Sequence, residues 1–191
     1  MVGAVYMAVA LWVYAFINAA REPRFDYYTP LDAAIPLLPW TILVYVSFYA
    51  VALLAIPLLS PARFLRTLQS ACITGPVAWL FFWFAPAHYP RPPLETSSAF
   101  APVFEWLYAM DAPGNTFPSL HVASCTLLGL GLSERPERAF WVAWTVAVSV
   151  STLTTKQHYV ADVVGGVLLA HGAWWITGRA GASPTTPSAP G

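Results

Sequence analysis

The amino-acid sequence predicts an all-α polytopic membrane protein: a bundle of six transmembrane helices, with a short interfacial helix in the long loop between spans 3 and 4. Three observations lead there. Of 191 residues, 58% are hydrophobic and 9% charged, against about a quarter charged in an ordinary soluble domain. Six apolar segments approach the roughly 20 residues that a helix needs to cross a bilayer. The one long connection, residues 85–117, holds an aromatic-rich segment too short to cross.

The six segments are residues 2–20, 39–59, 64–84, 118–132, 139–153 and 158–177, broken by Pro, Gly and charge. The first lacks a positive leader and is longer than a signal h-region, so it is expected to be a retained span. The fourth and fifth are short; polar helix ends buried in protein are tolerated where lipid-exposed ones are not. Residues 99–110, with Phe100, Phe104, Trp106, Leu107 and Tyr108, are expected to form the interfacial helix over the mouth of a site. With no internal repeat, residues 1–177 make one six-span domain. Residues 178–191 are rich in Gly, Ala, Ser, Thr and Pro, a composition expected of a disordered tail.

The formal net charge is zero, with no basic run, which excludes nucleic acid as a partner. Cys72 and Cys125 match no C-x-x-C pattern and are expected to be packing residues. Arg63, Arg66, Arg135, Arg138 and Arg179 follow even-numbered spans, whereas Arg21, Arg24, Arg91 and Lys156 follow odd ones. If Arg91 and Lys156 belong to a site, the positive-inside rule puts both termini and the tail in the cytoplasm and the site on the extracytoplasmic face. Glu22, Asp26, Asp32, Glu95, Glu105 and Asp111 fall on the site's side. The expected location is a bacterial plasma membrane.

Ionisable groups at span ends are costly and so are candidates for function. His121 sits in Gly114-Asn115-Thr116-Phe117-Pro118-Ser119-Leu120-His121. Asn115 or Thr116 can cap this helix, with Pro118 in its first turn. The free N–H groups and the Ser119 hydroxyl then offer an anion pocket; the alternative is a capped helix with a structural histidine. His158 and Asp162 are four residues apart, which on a helix shares one face. The carboxylate can hold one ring nitrogen and leave the other as a nucleophile, or the pair can simply stabilise the bundle. Two histidines and one aspartate give a metal little to hold. Arg91 and Lys156 supply cations for phosphoryl oxygens, although either can be an interfacial cation that snorkels. His88 has no assigned role, and His171 lies about 20 Å along the helix from His158.

These segments resemble the type 2 phosphatidic acid phosphatase superfamily, whose signature is K-x6-R-P, P-S-G-H and S-R-x5-H-x3-D. Pro118-Ser119-Leu120-His121 is similar to the second part, with Leu120 for glycine. Ser151 through Asp162 fits the third, with Thr152 for arginine; of the first, Arg91-Pro92 stands but Phe84 replaces lysine. Phe117-Pro118-Ser119-Leu120-His121, Lys156-Gln157-His158-Tyr159 and Leu31-Asp32 through Ile35-Pro36 are closer to the branch with inositol phosphorylceramide synthases.

The resemblance implies a metal-independent reaction without cofactor on a lipid or polyprenyl phosphate. It implies a phosphohistidine at His158, protonation of the leaving oxygen by His121, and orientation of His158 by Asp162. Arg91 and Ser119 would bind phosphate. Lys156 is our own addition, as a replacement for the missing arginine. Phosphatase action on water, inositolphosphotransferase-type transfer to an alcohol acceptor such as inositol, and a non-catalytic protein with a degenerate site are the three readings.

Overall fold

Three helices start behind a Thr or Ser whose side chain accepts from the first turn. The computed structural model describes residues 2–93, 98–111 and 113–180. Among them run eight helices: α1 Val2–Ala20, α2 Pro30–Ala34, α3 Ile42–Ala55, α4 Pro61–Phe84, α5 Ala101–Met110, α6 Leu120–Gly131, α7 Arg138–Thr154 and α8 Val160–Ala180. Thr29 caps α2 through a capping box with Asp32, and Pro30 takes the first turn, where a missing N–H costs nothing. Ser60 caps α4 ahead of Pro61. Ser119 caps α6 by accepting from Val122 N at 3.2 Å.

Each of the six apolar segments is helical, and the aromatic segment is α5. Two stretches, Pro39–Leu58 (α3 with the 3-10 turns on either side) and Val160–Arg179, are long and apolar enough to cross a membrane. At 12 residues, α6 is about 18 Å long, short of a hydrocarbon core of roughly 30 Å. It packs against α3, α4, α7 and α8. Around it, Ala55, Cys125, Leu128, Leu132, Trp141, Trp144 and Val148 form one core cluster. Outward faces are as apolar as the core: Trp12 is 67% exposed, Leu54 74% and Leu168 66%. A soluble helix turns its apolar stripe inward, so this surface asks for an apolar surround.

Several boundaries differ from expectation. Pro118 precedes α6, and Ser119, rather than Asn115 or Thr116, is its cap. Asn115 adopts φ 56 and its amide donates to Tyr14 O at 3.2 Å. α8 starts at Val160, so His158 lies in the turn before it. The proposed tail from residue 178 begins inside α8: Gly178 abuts the Arg66 guanidinium, which donates to Trp174 O at 2.7 Å and lies 4.0 Å from the Trp174 ring centroid. The remainder of the tail, 181–191, and Glu95 of the acidic set lie outside the described residues. Cys125 is buried as expected, but Cys72 is exposed and packs nothing inward.

The closest approach of α6 and α8 depends on Gly166, where a Cβ would lie 2.5 Å from Ser119 O, a backbone atom. Beside Gly172 nothing lies within 4 Å. Gly166→Ala is therefore expected to lower the melting temperature in detergent, at a cost of about 1–3 kcal/mol, while Gly172→Ala leaves it unchanged or raises it. Equal melting curves for the two variants would contradict this packing.

Candidate active site

The start of α8 is built around one carboxylate. Asp162, in the first turn, accepts from Tyr159 N at 2.9 Å through Oδ2, so it satisfies a backbone donor that the helix leaves unpaired. The same oxygen accepts from His158 Nδ1 at 3.2 Å. Asp162 is fully buried and the His158 side chain is 11% exposed. The pair therefore meets across the helix cap, rather than along one helical face as its spacing suggested. His158 N and Gln157 N both donate to Thr152 O, at 3.2 and 3.0 Å, which fixes the main chain as it leaves α7.

A carboxylate only accepts, so Nδ1 carries the proton and Nε2 is left as an acceptor; this tautomer is assigned from its partners. Ser119 Oγ lies 3.1 Å from Nε2. That hydroxyl oxygen already accepts from Val122 N, which leaves its proton for Nε2. Ser119 N in turn donates to Asp162 O at 3.0 Å. Ser119, His158 and Asp162 thus form one continuous array, joined through side chain and backbone.

His121 lies just inside α6, in an aromatic box supplied by α3. Its ring stacks on Tyr45, with centroids 4.2 Å apart and planes 13° apart. Phe48 lies at 4.6 Å and Tyr49 at 5.8 Å. His121 Nε2 is buried with no hydrogen-bond partner among the described residues. α5 backs the box, since Phe104 and Leu107 pack against Ile42 and Tyr45.

The cations stand in loops. Arg91 donates from Nη1 to Asp111 O at 2.7 Å, and its guanidinium carbon lies 4.3 Å from the Tyr108 ring centroid; among the described residues this is one bond for five N–H donors. Lys156, at φ 57, gives its ammonium to Asp32 O at 2.9 Å and to Ile35 O, and burial lowers its pKa. Two of its three donors are thereby engaged by backbone carbonyls of the α2 turn. Thr152, where the signature has arginine, is fully buried, with its hydroxyl on Ser149 O. Phe84, where the signature has lysine, is 72% exposed. His171 Nδ1 bonds Val167 O on an exposed face of α8, away from the array.

Sequence reasoning missed three residues around this site: Asp32, Tyr45 and Asp111. Asp111 was counted only for topology, yet its Oδ1 accepts from the Tyr14 hydroxyl at 2.7 Å and its carbonyl holds Arg91. Burial raises its pKa above the usual carboxylate range, against the lowering effects of Tyr14, Arg91 and His158. An acid in a long apolar loop was the available signal.

A family model described as the PAP2 superfamily matches residues 31–176. No curated protein and no solved structure matches the chain. The match spans Arg91, Ser119, His121, Lys156, His158 and Asp162, and it opens on the Leu31-Asp32 turn.

The raised pKa of Asp111 has a consequence for stability. A carboxyl whose pKa is higher folded than unfolded stabilises the fold below the unfolded value, and that contribution is lost as pH rises through the folded value. Asp111→Asn, which keeps an acceptor for Tyr14, is expected to flatten the fall in melting temperature between pH 4 and pH 7. A variant with the wild-type pH profile would show that this carboxyl titrates normally.

Proposed function

We propose that this chain, which belongs to the PAP2 superfamily, is an integral membrane lipid phosphatase or phosphotransferase that acts on a lipid-linked phosphate ester through a phosphohistidine at His158. Membership of a superfamily that generally comprises phosphatases supplies the broad chemistry, action on phosphate esters. The observation that carries the narrower reading is the Asp162–His158–Ser119 array. Asp162 holds Nδ1–H and supports the positive charge that develops on the ring, which leaves the Nε2 lone pair as nucleophile.

In the resting arrangement Nε2 accepts from the Ser119 hydroxyl. A phosphoryl oxygen that takes this hydrogen bond frees Nε2 at the moment the substrate is seated, while Val122 N continues to cap Ser119 Oγ. Nε2 then attacks phosphorus, the bond from phosphorus to the leaving oxygen breaks, and that oxygen takes a proton from His121. The leaving oxygen would give His121 Nε2 the partner it otherwise lacks among the described residues. Arg91 neutralises the phosphoryl oxygens. In the second step water, or an alcohol acceptor such as inositol, gives its proton to the now neutral His121 as its oxygen attacks phosphorus, and the P–N bond breaks to restore both His158 and protonated His121. Hydrolysis and transfer share the intermediate, so the acceptor decides between phosphatase and inositolphosphotransferase-type activity.

The buried Thr152 and the exposed Phe84 favour a second reading, a non-catalytic protein, because they leave no cation where the signature has two. Against it stands the intact Asp162–His158–Ser119 array. The outward apolar faces of α1, α3, α7 and α8 support six spans, and the charge distribution supports an extracytoplasmic site with both termini in the cytoplasm of a bacterium.

The deciding experiment incubates purified protein with radiolabelled lipid phosphates and polyprenyl diphosphates, with and without inositol. Free phosphate marks a phosphatase, a new labelled lipid marks a transferase, and silence across the panel marks the non-catalytic reading. The expected label on the enzyme is acid-labile, as for phosphohistidine, and absent from His158→Ala; an acid-stable phosphoserine at Ser119 would refute the assignment of the nucleophile. His121→Ala is expected to slow reaction of alkyl phosphates about 100-fold or more and to spare activated aryl phosphates, which need no acid. Activity is expected to survive chelators, and its loss with EDTA and recovery with a divalent ion would refute the metal-independent route.

A further inference from the structure

The segment Leu31-Asp32 through Ile35-Pro36 is given no task by the phosphoryl-transfer reading, yet it and its flanks clasp the chain around His158 at five points. Asp32 Oδ1 accepts from Val160 N at 2.8 Å. Asp32 O and Ile35 O accept from the Lys156 ammonium. Leu38 N donates to Thr154 O at 2.9 Å, and the Thr41 and Thr154 hydroxyls lie 2.8 Å apart.

We infer that residues 29–41 are a clamp that sets the position and tautomer of His158, with Asp32 and Lys156 as its positioning residues. The inference rests on the reading of His158 as the nucleophile. The residues two before and two after His158, Lys156 and Val160, are both anchored on the single residue Asp32. Asp32 is 2% exposed, and its other carboxylate oxygen accepts from Thr29 N at 2.9 Å and Thr29 Oγ1 at 2.5 Å. Both carboxylate oxygens are thus supplied with donors, and the bond from Val160 N ties α2 to the start of α8.

Lys156 adopts a left-handed backbone, φ 57, that suits glycine better than lysine. From that position its side chain reaches across to two carbonyls of the α2 turn. With these ties in place, the turn between α7 and α8 has little freedom, so the imidazole edge that meets Asp162 and the edge that meets Ser119 are both fixed before substrate arrives. Release of the clamp leaves every catalytic group in the protein but lets the ring rotate, and misplacement of reacting atoms by about 1 Å costs on the order of 100-fold in rate.

The test uses the full chain in nanodiscs with ¹⁵N-labelled histidine. The four histidines give four pairs of ring-nitrogen signals, and His158→Gln assigns one pair. The wild-type ring is expected as the Nδ1–H tautomer. Lys156→Gly, which relieves the backbone, and Lys156→Met, which keeps the stem, are both expected to convert it to a mixture of tautomers and to lower kcat about 10- to 100-fold with KM nearly constant. Asp32→Asn, which keeps an acceptor for Val160 but presents an amide to Thr29, is expected to do the same more weakly. An unchanged tautomer in both Lys156 variants overturns the inference, as does a raised KM at constant kcat, which would mark Lys156 as a phosphate ligand. If the tautomer shifts but the wild-type protein turns over no phosphate ester, the clamp stands and the catalytic reading falls.

Discussion

The site depends on how closely the N-terminal ends of α6 and α8 approach. Gly166 lies directly beneath Ser119 O, and Ser119 N closes the junction by donating to Asp162 O at 3.0 Å. Because both helices begin here, the junction collects backbone donors that neither helix can satisfy alone. Ser119 takes one of them for α6, while Asp162 and Asp32 take two for α8. The same two side chains that close the caps, Ser119 and Asp162, hold the two nitrogens of His158. Fold and site therefore share their hydrogen bonds, and the geometry of the imidazole is inherited from the caps.

That economy also bears on electrostatics. A buried carboxylate is costly unless donors surround it, and the buried Asp162 has His158 Nδ1 and Tyr159 N on one oxygen, while its Oδ1 has no partner among the described residues. The negative charge at Asp162 is thus tolerated rather than comfortable, and protonated Nδ1 is its chief compensation. The cations stand further out, each held by a backbone carbonyl: Arg91 by Asp111 and Lys156 by Asp32 and Ile35. Compared with the signature, this chain has Thr152 and Phe84 where arginine and lysine stand, and helix caps, hydroxyls and aromatic faces surround its two histidines.

At the other end of the bundle, arginines do structural work. Arg66 joins α4 to α8 through Trp174, Arg63 pairs with Glu134, and the Ser70 and Thr177 hydroxyls meet at 2.9 Å. Residues that read as topology signals in the sequence are therefore also ties between helices, consistent with a bundle whose outer faces contribute little to packing of one helix on another.

Legible in the sequence were the helical segments, the aromatic α5, and His121, His158, Asp162 and Ser119 as candidates for chemistry, because apolar periodicity, caps and the spacing of the signature are local properties. Both cysteines read as packing residues in the sequence, yet Cys125 is buried while Cys72 is exposed; apolar neighbours do not say which face of α4 turns outward. Only the tertiary structure decided the rest. Asp32 and Lys156 lie 124 positions apart, and Tyr14 and Asp111 lie 97 apart; no pattern within a segment relates such pairs. The start of α8 after His158, rather than at it, followed from long-range anchoring of Val160 N by Asp32. Where a residue's role is set by a partner brought to it by packing, as with the ammonium of Lys156, its type and neighbours in sequence suggest a charge to be used but not where that charge is used.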